Sequence, residues 1–334
     1  MEQNQTTSVD VLSYDKYLVM LSGGKDSVAS LLHLLELGVD RSKVEIMHAD
    51  IDGGEGEGGK GLMDWASTPA YVRAFGKALG IPVYFAWKQG GFLREMLRNQ
   101  TETAPTKFET PDGLRTAGGN SGKLNTRLQF PQTSPDLSVR WCSGYLKVDP
   151  CATAIRNQTR FNHSRTLVIT GERAAESASR ANYKVFEVDR ADARGGKLGR
   201  VVDHFPPVHS WSEAQVWAII ERWNINPAAP YRLGWSRLSC KNCIFGSASQ
   251  WRSAQVVDPE SINRIASLEK QFGKTIDRKM DVLTKAAKGT AYAGTANAAL
   301  VAEANDANWD GPIFLAPGTW TLPAGAFGDC SGPN

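Results

Sequence analysis

The sequence predicts an α/β fold: a parallel twisted sheet with helices on both faces, plus a smaller C-terminal extension. Three observations predict it. Short apolar runs alternate with stretches of helical periodicity, helix-starting and helix-stopping residues separate them, and a glycine turn joins the first run to the first helix. Tyr17-Leu18-Val19-Met20-Leu21 is an apolar run that stops at Gly23-Gly24 and reads as a buried strand. Val28, Leu31, Leu32 and Leu35 then recur at helical spacing, and Gly38 supplies a stop. Val44 to Ala49 reads as a second strand ending at Asp50. Thr68 caps a helix with Pro69 at its first position. Val72, Phe75 and Leu79 share one face of that helix, which ends at Gly80. Ile81 to Trp87 is the third strand.

From Asn99 to Arg140 the pattern breaks into Thr, Gly, Pro and Asn with almost no periodicity, as in a long functional or disordered loop. Thr166 to Thr170 resumes the strand pattern. Ser212 and Gln215 form a capping box ahead of Val216, Ile219, Ile220 and Trp223. Asp258-Pro259 starts another helix, with Ile262, Ile265 and Phe272 apolar and Gly273 after it. From about Lys285 the chain is rich in Ala and Gly. The expected organisation is a flexible N-terminus over 1–16, a main domain over 17–275 with the 99–140 loop inserted, and an extension over 276–334 of unassigned role.

Composition bounds the function. The chain has 334 residues, 41% hydrophobic and 22% charged, enough for a full core. A net charge of +3 suits a polyanionic substrate without demanding nucleic acid. No run of about 18 apolar residues occurs, so no membrane span is expected. Met1 to Lys16 is polar and lacks the apolar stretch of an export signal, so a cytoplasmic location is expected. Five cysteines, an odd number, favour metal or redox roles over a disulfide framework.

Ser22-Gly23-Gly24-Lys25-Asp26-Ser27 sits between the first strand and the first helix. Glycines let the backbone approach an anion closely, and the helix start offers free N–H groups and a favourable dipole. Ser22 and Ser27 can donate hydroxyls and Lys25 a point charge. The bland alternative is a tight turn that binds nothing. The spacing is not that of a Walker loop.

This string resembles the signature of the PP-loop superfamily of ATP pyrophosphatases and adenylyl-sulfate reductases. The resemblance implies that the loop holds a pyrophosphate or sulfate-like group, with the nucleotide across the strand ends, as the switch-point rule for open sheets also has it. His48-Ala49-Asp50 resembles the segment bordering the nucleotide. Asp50 there can meet a ribose hydroxyl or a metal ion, or simply cap a turn. Substitution of Lys25 or Asp26 is expected to abolish turnover and spare the fold.

Cys142 and Cys151 follow the long loop, and Cys240-Lys241-Asn242-Cys243 comes much later. Four thiolates suit an iron–sulfur cluster or zinc; the alternative is that they are small buried hydrophobes. The segments resemble the phosphoadenosine phosphosulfate reductase-like branch, including the reductase-like proteins of DNA phosphorothioation systems. Lys147, Pro150, Cys240 and Cys243 match its pattern, and Cys142 matches the first of its paired cysteines. Ser143 stands where the second belongs, so a [4Fe-4S] cluster requires Cys151 as the fourth ligand. Thr170-Gly171-Glu172-Arg173, then Glu176-Ser177 and Arg180, resembles the family's segment after the fourth strand. Gly171, Arg173 and Arg180 are expected at the phosphate or sulfate, the arginines as bidentate clamps unless they belong to a solvated basic face.

The resemblance implies an enzyme that binds ATP and Mg²⁺ and cleaves between the α and β phosphates in a sulfur-transfer pathway, with Lys25, Asp26 and Lys147 catalytic. The alternative is reduction of adenylyl sulfate, or of its 3′-phosphate, to sulfite. A non-catalytic nucleotide- or nucleic-acid-binding module is the reading from another class. Expected partners are an adenine nucleotide, a sulfur-donor protein, a nucleic-acid acceptor and a second copy of the chain. Reduction needs a nucleophilic cysteine near the C-terminus. Cys330 has only a loosely similar setting and no Lys, Arg or His after Lys288, so it is not expected to be that nucleophile.

Overall fold

A computed structural model describes residues 10–54, 61–119 and 122–328. Eight strands form one sheet: β1 (Lys16–Met20), β2 (Val44–Ala49), β3 (Val83–Lys88), β4 (Thr106–Thr110), β5 (Gly113–Ala117), β6 (Arg165–Ile169), β7 (Glu187–Val188) and β8 (Val201–Phe205). Their order is β5-β4-β3-β2-β1-β6-β8-β7. The helices are α1 (Lys25–Glu36), α2 (Thr68–Leu79), α3 (Gly91–Met96), α4 (Trp141–Ser143), α5 (Asp149–Arg156), α6 (Ala178–Ala181), α7 (Glu213–Arg222), α8 (Ala229–Leu233), α9 (Ala248–Val257), α10 (Pro259–Phe272), α11 (Val282–Ala287) and α12 (Ala298–Ala304). None among the described residues is long and apolar enough to cross a membrane.

The centre of the sheet is parallel, as expected: β1 pairs with β2 and β6, β2 with β3, and β6 with β8. Both edges depart from the all-parallel reading. β4 runs antiparallel to β3 and to β5, and β7 antiparallel to β8. The reason at one edge is local. Thr110-Pro111-Asp112-Gly113 turns the chain within the stretch read as loop, with Gly113 at φ 107, and so short a connection can only join antiparallel strands. Along β4 the burial alternates, Thr106, Phe108 and Thr110 inward and Lys107 and Glu109 half-buried.

The pleat of β1 sends neighbours to opposite faces. Tyr17, Val19 and Leu21 join Leu31, Leu32, Val72, Phe75 and Val216 in the main core, under α1, α2 and α7. Leu18 joins Met47, Val168, Val202, Cys151 and Ile155 on the other face, under α5. Each aliphatic side chain fully buried there contributes about 1.5–3 kcal/mol. A further apolar cluster holds the α9–α12 helices against Trp65, Phe92 and Trp141.

Two terminal stretches are more firmly placed than composition suggests. Residues 10–16, grouped with a flexible N-terminus, include buried Tyr14, whose hydroxyl donates to Asp203 at 2.9 Å; residues 1–9 lie outside the described ones. The Ala/Gly-rich tail returns to the core. Trp309 and Ile313 lie in the main cluster, and the Asn226 amide donates to the Ile313 carbonyl at 2.7 Å.

Candidate functional site

The chain passes from β1 through β2 and β3 and then returns to the other side of β1 as β6. The strand order therefore reverses between β1 and β6, and in open α/β sheets ligands bind at the carboxyl ends of the strands flanking such a point. The loop Ser22–Ser27 leaves β1 there and Gly171–Arg173 leaves β6. A Cβ at Gly171 would lie 2.6 Å from the Ser27 nitrogen and 2.7 Å from the Asp26 carbonyl carbon. Only a glycine lets β6 approach the start of α1 so closely.

The loop is braced from within. Ser22 N–H donates to Ser27 Oγ at 3.2 Å, the two hydroxyls lie 3.1 Å apart, and Gly24 N–H reaches Ser22 Oγ at 3.3 Å. Gly23 sits at φ 78. The first-turn amides of α1, which have no intrahelical acceptors, face the carboxyl end of the sheet. The loop side chains are arranged differently from the sequence expectation. Lys25 is 2% exposed. Its ammonium donates to the Ser236 carbonyl at 2.8 Å and pairs with Glu213 at 3.2 Å and Asp26 at 3.6 Å. Asp26 also pairs with Arg173, whose Nη1 donates to the Trp211 carbonyl at 3.3 Å. Arg180 pairs with Glu176, which Arg237 meets at 3.2 Å. The residues expected around a phosphate are thus brought together, but as a mutually paired set.

At the end of β2, His48 is buried and lies 2.8 Å through Nδ1 from the Leu21 carbonyl. Burial pushes it down to about 4, so the ring is neutral and Nδ1–H is the donor. Asp50 accepts from the amides of Asp52, Gly53 and Gly54 at 3.0, 3.3 and 3.1 Å, the turn-capping arrangement. Asp52 in turn accepts from Met63 and Asp64 amides.

The second group of expected residues lies at a crevice nearby. α4 and α5 are continuous through a π-helical turn over Gly144–Val148, closed by the Asp149 amide on the Gly144 carbonyl. Pro150 has no N–H and its ring crowds the Leu146 carbonyl, which accounts for the widened turn. Lys147, exposed at the mouth, points its ammonium at Cys240 Sγ at 3.8 Å. Asp64, Cys142 and Cys243 are near enough to act on it electrostatically, and with Cys240 they keep Lys147 above its ordinary range. Crowding desolvates the acids. It pushes Asp64 up to about 7 against the pull of Lys147, Cys142 up to about 11, and Cys240 well above a free thiol. The Cys142 and Cys240 thiols are therefore protonated at neutral pH.

Cys151 does not join them. It is buried on α5 among the apolar residues of the opposite sheet face, its thiol pushed up to about 12 by burial. Ser143 fills the position of the missing cysteine, and an ammonium stands against the thiols. Among the described residues no three His, Cys, Asp or Glu side chains are arranged to hold a metal. The donor set does not fit a four-thiolate cluster, and the expected ligation by Cys142, Cys151, Cys240 and Cys243 is not assembled. Cys330 lies outside the described residues.

Sequence reasoning missed three participants: Tyr231, Glu213 and Ser236. Tyr231 accepts the Lys25 amide at 2.7 Å and the Leu238 amide at 3.1 Å through its hydroxyl. Nothing in the sequence marks this, since the partner of Lys25 lies 206 residues away. A cavity of about 770 Å³ lies elsewhere, lined by Asn226, Arg232, Glu303 and Trp309 near the tail. Arg232 and Trp309 are both committed there to Glu303, so it lacks the convergent chemistry of the strand ends.

Residues 113–245 match the phosphoadenosine phosphosulfate reductase domain. The match takes in the crevice cysteines and Gly171–Arg173 but starts after the phosphate loop, which rests on its geometry. A protein of Escherichia phage 186, an uncharacterized 37.8 kDa protein in the gpa 5′ region, is 29% identical over 136 residues, 41% of this chain and 39% of that protein. The adenosine 5′-phosphosulfate reductase of Neisseria meningitidis serogroup A is 30% identical over 104 residues, 31% of this chain and 36% of that protein. The chain thus spans less than two thirds of the length of the curated relatives it matches.

Proposed function

We propose that the cleft between the ends of β1 and β6 binds an adenine nucleotide and activates it for sulfur metabolism, a reading supported by the match of residues 113–245 to the phosphoadenosine phosphosulfate reductase domain. The observation that carries this reading is the loop Ser22–Ser27 at the strand-order reversal, opening α1 and packed on Gly171. In the first form of the reaction an acceptor oxygen attacks the α-phosphorus of ATP, the bond to the β-phosphate oxygen breaks, and pyrophosphate leaves with the electron pair. The amides at the start of α1 stabilise the charge on the leaving group. Lys25 does so after exchanging Ser236 and Glu213 for phosphate oxygens. Mg²⁺ would accompany the triphosphate.

A second reading, reduction of an adenylyl sulfate to sulfite, is favoured by the name of the Neisseria relative. It requires a dithiol reductant, which supplies two electrons and is itself oxidised to a disulfide. Incubation with ATP, and separately with adenylyl sulfate and a dithiol, tests both. Pyrophosphate release with ATP supports the first and sulfite release the second. Absence of binding to either nucleotide by calorimetry would remove the cleft from nucleotide chemistry.

A further inference from the structure

We propose that Tyr231 is a positioning residue that couples occupancy of the phosphate loop to the Cys240–Cys243 segment; this rests on the nucleotide-binding reading above. One phenol oxygen takes both the Lys25 amide, at 2.7 Å, and the Leu238 amide, at 3.1 Å. The loop lies directly on the segment that leads to the cysteines. A Cβ at Gly24 would be 3.4 Å from both the Tyr231 hydroxyl and the Leu238 carbonyl, and one at Gly23 3.2 Å from Leu238 Cδ2. The Lys25 ammonium holds the Ser236 carbonyl at 2.8 Å, only four residues before Cys240.

Tyr231 itself has little freedom. It is 2% exposed. Its ring meets Trp217 edge-on at 5.2 Å, and its carbonyl accepts the Gly325 amide at 2.8 Å. An anion entering the loop competes for the Lys25 ammonium and the neighbouring amides. With the phenol fixed, the adjustment passes to Ser236–Leu238 and on to Cys240, whose sulfur faces Lys147. The coupling is reciprocal: a change at the cysteines alters anion affinity by the same factor.

The test is alkylation of the full-length protein by iodoacetamide, read cysteine by cysteine by mass spectrometry while ATP or inorganic pyrophosphate is titrated in. The expected result is a change of about fivefold in the rate at Cys240 or Cys243 on saturation, the shift one ordinary hydrogen bond sustains. Cys151, on the opposite face of the sheet, stays unchanged. Tyr231→Phe keeps the ring contacts and, at ATP concentrations that saturate it by calorimetry whatever its Kd, shows a change below about twofold. Binding by the wild type with unchanged cysteine rates overturns the coupling and leaves the nucleotide reading standing. No binding by the wild type overturns both. A full response in Tyr231→Phe removes Tyr231 from the link. Should that variant not fold, the wild-type titration decides. The half-maximal rate change must fall at the calorimetric Kd, and a mismatch overturns the proposal.

Discussion

Two lysines, Lys25 and Lys147, organise the two halves of the candidate site in opposite ways. Lys25 is enclosed, with its ammonium divided among Asp26, Glu213 and the Ser236 carbonyl. Its partners are two carboxylates and a backbone carbonyl. Lys147 is exposed at the mouth of a crevice, facing the Cys240 sulfur and near a carboxyl raised to about 7. That carboxyl changes charge with pH. A charge fixed inside a paired network stabilises structure until a ligand competes for it, whereas one facing titratable groups follows the solution.

The largest expected effect breaks the first half. Lys25→Met leaves Asp26 and Glu213 without their shared cation in a largely enclosed site, which costs about 3 kcal/mol. Denaturant unfolding checks this. The sequence reading expects substitution here to spare the fold; a wild-type midpoint would agree with it and show that the paired network adds nothing. Gly171→Ala comes next. Its new Cβ meets the backbone of Asp26 and Ser27, not a movable side chain. A stability loss of about 1–3 kcal/mol is expected, together with weaker ATP binding by calorimetry. A variant with unchanged affinity would detach the β6 segment from the loop.

The second half is sharpened by pH. The Asp64 carboxyl is raised in the folded protein from 3.8 to about 7, so the folded state binds more protons than the unfolded one across that window. Its contribution is complete below the lower value and is lost as pH rises through the upper. Asp64→Asn should flatten the fall in unfolding free energy between about pH 4 and pH 7. Parallel pH profiles for the two proteins would place Asp64 in open water. The smallest effect is expected at Cys151→Ala, about 1 kcal/mol from lost packing, with pyrophosphate or sulfite release unchanged. A large loss of turnover would return Cys151 to the site.

The central strands were legible because their apolar runs are short and bounded by Gly, Asp and Pro. The strand-to-helix turn at Ser22–Ser27 was legible because its six residues are contiguous. The β4–β5 hairpin was missed although Thr110-Pro111-Asp112-Gly113 is a turn signal. Its strands carry Lys107, Glu109 and Arg115 and lie near a sheet edge, so their apolar content is low. β7 is two residues long and leaves no periodicity to detect. The position of Cys151 was misjudged, and the partners of Lys25 were not foreseen, for a different reason. Motif spacing tells which residue types gather along the chain, but side-chain direction depends on neighbours such as Glu213, Ser236 and the apolar residues around Ile155, which only the tertiary fold supplies.

The returning tail has a consequence for assembly. Ser67 Oγ donates to the Ala304 carbonyl across 237 residues, the Trp309 ring meets Tyr71 at 5.3 Å and a tilt of 53°, and the Gly325 amide donates to the carbonyl of Tyr231. Contacts of such long sequence separation are closed late, because the loop entropy must be met before they form. During synthesis the β1–α1 turn emerges early, yet the tyrosine that braces it gains its contact with Gly325 only once that residue has left the ribosome. The Ser22–Ser27 loop is thus among the first segments made and among the last to mature.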